Sequence, residues 1–187
     1  LAAISISVLT SILIYNFLKT KNISETHSLY AVAVLNLTPI FNAMSVALLP
    51  DTLLMPLTVL IILSTEKVLH HSSAKNWALL GLWLGLAGLS KYTAVLFVFS
   101  LVLIFSYNFS NQKKSKELLK PNIWVGVLIA LCLISPVLYW NIKNNWISFQ
   151  YQADHVLSAD TSILKNLGAS LVMQLLSWGI GPFIVAM

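Results

Sequence analysis

The chain has no arginine, one cysteine, and only six acidic residues among 187. Without arginine no planar guanidinium fork is available, so any contact to phosphate relies on a lysine ammonium acting as a point charge. A lone cysteine excludes an intramolecular disulfide and offers no metal-ligand spacing. Cys132 lies in the apolar run ALCLIS and reads as a small buried hydrophobe. Charged residues make up 9% of the chain, against about 25% in soluble domains. A water-soluble domain is excluded. The residues given contain no low-complexity segment and no convincing internal repeat, and no signal peptide is recognisable in them.

What the chain has in abundance is apolar length. Hydrophobic residues account for 58% of it, and the mean hydropathy is +0.83. The fold class is therefore an all-α, polytopic transmembrane bundle. The net charge of +5 does not indicate nucleic acid, because eight of the eleven lysines lie in short loops where topology explains them. These are Lys19, Lys21, Lys67, Lys75, Lys113, Lys114, Lys116 and Lys120.

Lys91 is the exception. It interrupts an otherwise almost wholly apolar stretch from Trp77 to Tyr107. A charge at that depth costs roughly 2.5–3.5 kcal/mol and calls for a carboxylate or a phosphate to offset it. One helix of this length would run about 46 Å, well beyond a hydrocarbon core of about 30 Å. Both flanks, Lys67–Lys75 and Lys113–Lys120, are basic and belong on the cytoplasmic side. A chain that leaves and returns to one side crosses an even number of times. The stretch is thus predicted to be a hairpin folded near Gly88–Lys91, with Lys91 at its far apex.

About seven membrane segments follow, including short hairpins, in one transmembrane domain over residues 1–187. They are Leu1–Leu18, Ser28–Leu49, Thr52–Thr65, Asn76–Ser90, Tyr92–Tyr107, Asn122–Trp140 and Ser162–Met187. The second carries Asn36, Pro39, Asn42 and Ser45, which hydrocarbon tolerates only against protein or a cavity. Several spans look short, at about 21–24 Å, so Asp51 and Lys91 are expected to sit below the outer interface. Asn141–Thr161 is the longest outer segment. The chain opens and closes inside hydrophobic segments and is expected to be an internal part of a longer protein.

Asp51, Lys91 and the loop 141–160 fall on one face in this topology. An acid, a cation and a loop of Trp, Tyr, Gln and His suit a substrate bearing phosphate and sugar, with aromatic faces stacking on sugar. The competing reading is an Asp51–Lys91 ion pair that fastens two hairpins together. His70-His71 has no further ligand at a useful spacing, and Asp154-His155 reads as an interfacial loop pair, with metal binding or proton shuttling beside a substrate cavity as its alternative. No cofactor is identified; a divalent metal is possible but not indicated. Trp140 and Trp146 mark the membrane boundary.

Three segments, ALLPDTLLMPLTVL, LLGLWLGLAGLSKYTAVLFVFSLVL and SPVLYWNIKNNWISFQYQ, taken in order, resemble bacterial glycosyltransferase family 39. That family includes protein mannosyltransferase-like and aminoarabinose transferase-like enzymes of the GT-C membrane fold. The resemblance runs from about Leu35 to His155. It implies sugar transfer from a polyprenyl-phosphate donor to a lipid, glycan or protein acceptor on the non-cytoplasmic face, in a bacterial plasma membrane. Lys91 matches the lysine that contacts the lipid-linked phosphate, and Asp51 a supporting acid at the outer end of a span. Tyr92, Trp146, Gln150 and His155 are the further candidate substrate contacts. The family's main catalytic carboxylate lies in a first outer loop upstream of this sequence, so the residues given are expected to be inactive alone. The alternatives are a transporter or flippase for a lipid-linked or small anionic substrate, and a non-catalytic membrane scaffold.

Overall fold

Prolines and short polar side chains decide where the helices begin. In the computed structural model, which describes residues 1–109, 121–157 and 163–178, every regular element is helical. α1 (Ala2–Thr20) turns through Asn22, whose φ of 58° is the left-handed conformation an asparagine tolerates. Ser24 then caps α2 (Glu25–Leu37) by accepting from the His27 amide at 3.3 Å.

α2 stops because Pro39 follows. The residue before a proline is pushed to extended backbone, and Thr38 has ψ 124°. α3 (Pro39–Val46) leaves at 69° to α2, so the second expected span is a broken helix pair. Its polar residues repair the break. Asn42 Nδ2 donates to the Asn36 carbonyl at 2.6 Å, while Asn36 Nδ2 reaches Ser11 Oγ on α1 at 3.0 Å. Fully buried Thr52 ties the next corner, its hydroxyl lying 3.0 Å from the Met44 carbonyl and 2.9 Å from that of Ala47.

α4 (Pro50–His70) and α5 (Ala74–Ser90) form an antiparallel pair. Ser73 caps α5, and Asn76 Nδ2 donates to the His71 carbonyl at 2.8 Å across the turn. A 3-10 turn, Tyr92–Ala94, then reverses the chain into α6 (Val95–Phe109). Trp77, near the start of α5, meets Phe105, near the end of α6, with ring centroids 5.5 Å apart. The hairpin with Lys91 at its apex is present.

α7 (Asn122–Lys143) runs parallel to α5, starting where Asn122 Nδ2 donates to the Ser72 carbonyl at 2.8 Å. The two helices touch backbone to backbone. A Cβ on Gly81 would fall 2.1 Å from the Gly126 carbonyl oxygen, and one on Gly126 would fall 2.6 Å from that of Trp77. Small residues permit such an approach between membrane helices, where packing rather than hydrophobic burial drives association. Ile61, Val68, Trp77, Leu80, Ala87, Ala94 and Leu101 make the buried core. α8 (Ile147–Leu157) and α9 (Ile163–Trp178) complete the described elements.

Three expectations change. α4, with 21 residues, reaches about 31 Å and is not short, because it continues through polar residues at its end, whereas α5 and α6 have only 17 and 15 residues. Among the described residues three helices, α1, α4 and α7, are long and apolar enough to cross a membrane, or four spans if the bent α2–α3 pair counts as one, which leaves the expected seven segments neither met nor overturned. The segment from Asn141 is not a plain loop, since α8 lies within it. Cys132 is exposed rather than buried, on a face of α7 turned away from the bundle. The lysines from 113 to 120, and residues 158–162 of the expected outer segment, lie outside the described residues.

Candidate functional site

At the end of the bundle opposite the basic turns, the start of α4 and the end of α5 meet. Asp51 lies in the first turn of α4, and Lys91 is the residue that ends α5. Each charge complements the dipole of its own helix, a carboxylate at an N-terminus and an ammonium at a C-terminus. Lys91 Nζ lies 2.7 Å from Asp51 Oδ1 and 2.8 Å from Oδ2. One residue back, Ser90 Oγ donates to the Pro50 carbonyl at 2.7 Å. The ion-pair side chains are 34% exposed at Asp51 and 40% at Lys91, so the third ammonium hydrogen can still reach a ligand.

Neither charge lines the two cavities nearest to it among the described residues, but the next residue lines both. Tyr92 borders a cavity of about 390 Å³ together with Pro136, Val137, Trp140, Asn141 and Ser148. It also closes one end of an apolar groove of about 490 Å³ between α5, α6 and α7, which reaches back as far as Trp77. Val137 is the other residue common to both. An open recess of mixed lining, to which Asn141 and Ser148 contribute the polar residues, therefore adjoins an apolar slot at Tyr92.

Aromatic contacts carry the site from Tyr92 into α8. The Tyr92 and Phe149 rings lie 5.0 Å apart, and those of Phe149 and Trp146 5.6 Å apart. Asn145 and Trp146 hold φ of 51° and 60°, a strained left-handed pair for two non-glycine residues. The Trp146 amide offsets this by donating to the Asn141 carbonyl at 2.8 Å, and Gln150 Nε2 returns to the Asn145 carbonyl at 3.1 Å.

The structure thus brings together Asp51, Lys91 and Tyr92, and joins Trp146 to them through Phe149. Gln150 is committed to the corner that starts α8. The side chain of His155 lies outside the described residues. Among the described residues no group of three His, Cys, Asp or Glu side chains assembles in a metal-holding arrangement.

Two residues that sequence reasoning did not single out stand in the site. Phe149 is the bridging ring, visible only if residues 146–149 are read at helical spacing. Asn141 is fully buried. Its Nδ2 donates to the Val137 carbonyl at 3.0 Å, and its Oδ1 has no hydrogen-bond partner. A buried unsatisfied acceptor costs about 1–3 kcal/mol. Its sequence signal is an asparagine closing a long apolar run.

Searches of curated proteins and of solved structures each gave no match. Residues 1–140 match the family described as dolichyl-phosphate-mannose-protein mannosyltransferase, which covers well over half of the sequence and includes Asp51, Lys91, Tyr92 and the Gly81–Gly126 contact. The chain is therefore an integral membrane protein that belongs to the dolichyl-phosphate-mannose-protein mannosyltransferase family of glycosyltransferases.

Proposed function

We propose that the protein moves a sugar from a polyprenyl-phosphate donor to a lipid, glycan or protein acceptor on the non-cytoplasmic face of a bacterial plasma membrane. The observation that supports this best is the junction at Tyr92. A donor of that kind has a polar phosphosugar head and a long apolar tail, and Tyr92 borders both an open recess with aromatic faces, Asn141 and Ser148 in its wall and an apolar groove. The adjacent ammonium of Lys91 is the cation for the phosphate between them.

In this reading an acceptor hydroxyl oxygen attacks the anomeric carbon as the bond from that carbon to the phosphate oxygen breaks. The bonding electrons leave with the polyprenyl phosphate, and the acceptor proton passes to a carboxylate base, a role the family resemblance gives to its first outer loop rather than to Asp51. Lys91 stabilises the charge that grows on the leaving phosphate. Donors aimed at developing charge are commonly the largest electrostatic contribution to catalysis. Asp51 holds the ammonium in position, and Trp140, Trp146 and Tyr92 offer flat faces to a sugar.

The test is transfer of labelled sugar by membranes containing the full-length protein, with polyprenyl-phosphate donors of long and short tail. Val98→Trp, which fills the apolar groove, is expected to impair the long-tailed donor about tenfold and to spare the short one. Absence of transfer from every polyprenyl-phosphate sugar, in membranes where the protein is abundant, would sink the reading.

A further inference from the structure

A second slot lies at the other end of the bundle. α1, α4 and α6 all run toward the basic turns, and between their ends is a cavity of about 530 Å³. Its walls are apolar, with Phe17, Ile61, Ile62, Phe97, Leu101 and Ile104 among them, while Lys21, Glu66 and His70 stand at one end. Lys21 is paired with the Glu66 carboxylate across α1 and α4, and His70 Nε2 is 3.7 Å from the same oxygen.

Its dimensions fit one leaflet. The α4 wall extends from Thr58 to His70, about 18 Å at 1.5 Å per residue. Half of a hydrocarbon core of about 30 Å is about 15 Å. The charges thus stand at headgroup level and the apolar walls at acyl-chain depth. Lys19 and Lys67 are exposed on the same helix ends, so with Lys21 three lysines stand at this end of the bundle against the carboxylates of Glu66 and Glu25. Because Lys21 spends one hydrogen on Glu66, its ammonium keeps donors for a phosphate.

We propose that this slot holds one acyl chain of an anionic phospholipid, with the phosphate held by Lys21 and the neighbouring Lys19 and Lys67. The site is separate from the Asp51–Lys91 region, and the only residue lining both this slot and the α5–α6–α7 groove is Leu101. α6 is therefore flanked by slots on two sides. A lipid here would support its outer face whether or not the groove carries a sugar donor.

The test is native mass spectrometry of the full-length protein in detergent, titrated with phosphatidylglycerol and, separately, with phosphatidylcholine. One phosphatidylglycerol is expected to be retained in preference to phosphatidylcholine. That preference is expected to fall about fivefold for each lysine removed in Lys19→Ala, Lys21→Ala and Lys67→Ala. Ser100→Phe, which narrows the slot from α6, is expected to weaken both lipids alike. If Ser100→Phe fails to accumulate, the lysine series alone decides. Equal retention of the two lipids, or a preference untouched by all three lysine substitutions, would overturn the proposal. So would a slot found occupied by a second copy of the chain or by another of its helices.

Discussion

Ser90 Oγ donates to the Pro50 carbonyl at 2.7 Å, one residue before Lys91 grips both carboxylate oxygens of Asp51. The ends of α4 and α5 are thus fastened twice, once by a neutral hydrogen bond and once by charge. The neutral fastening, together with the capped turn at Ser73 and Asn76, holds the helix pair if the ion pair is removed. Exposed pairs of this kind contribute only about 0–1 kcal/mol.

Lys91→Ala is therefore expected to leave membrane abundance near normal while lowering sugar transfer by roughly 10²–10³-fold, as for loss of one preorganised donor. Lys91→Arg is expected to restore only part of the rate, since a planar fork does not reproduce a compact ammonium. Transfer in membranes, normalised to protein level, is the measurement. Full activity of Lys91→Ala would refute the phosphate role.

Reversing the pair separates fastening from chemistry. Asp51→Lys combined with Lys91→Asp keeps an attraction between the helix ends, although each charge then opposes its helix dipole. Abundance is expected to recover relative to Asp51→Lys alone, while transfer stays at least about 10²-fold down. Recovery of transfer along with abundance would make the pair a fastener and nothing more. Asp51→Asn, which keeps volume and loses charge, is expected to impair transfer as well.

Gly81→Leu is expected to abolish accumulation of the folded protein, because even its Cβ would meet the Gly126 carbonyl oxygen at 2.1 Å. Gly81→Ala is expected to cost about 1–3 kcal/mol, in the range of overpacked cores. Gly88→Ala meets only the Ile134 side chain, at 2.8 Å, which can turn aside. Thermal unfolding of the purified variants should rank Gly81→Ala well below Gly88→Ala. An equal effect at the two positions would mean that α5 and α7 are not in backbone contact.

Sidedness is open to a labelling experiment. His71 and Asn144 are both exposed, one at the turn between α4 and α5 and the other just past α7, at opposite ends of the bundle. In intact cells His71→Cys is expected to be shielded from an impermeant thiol reagent and Asn144→Cys to react. Both reacting would contradict the crossing of α5 and α7 between them.

The parts legible in the sequence were those with few physical solutions. A lysine in an apolar run between two basic flanks leaves little but a hairpin, and Pro39 leaves little but a break at Thr38. Helix ends were less legible, because hydropathy stops at Thr65 whereas hydrogen bonding carries α4 on through Glu66, Lys67 and His70. α8 was hidden for a related reason. Its sequence ISFQYQADHVL is too polar to read as a membrane helix, and a boundary helix needs no apolar run. The ion-pair distance, the orphaned Asn141 oxygen and the Tyr92–Phe149 contact depend on residues far apart in the chain, which no local pattern encodes. The pair expected as one of two readings is present as a direct contact, and the cavities adjoin its neighbour Tyr92 instead.

Val98, Val102, Val127 and Leu131 line the groove between α6 and α7 and are all exposed. The groove is therefore open along its flank. A molecule with a long hydrocarbon tail can slide in sideways from the surrounding lipid and never draws that tail through water, which would cost about 0.8 kcal/mol for every methylene exposed. Capture then becomes a search in two dimensions, at a rate set by how crowded the bilayer is with the molecule sought. Tail length need not match the groove, because the surplus stays dissolved in lipid.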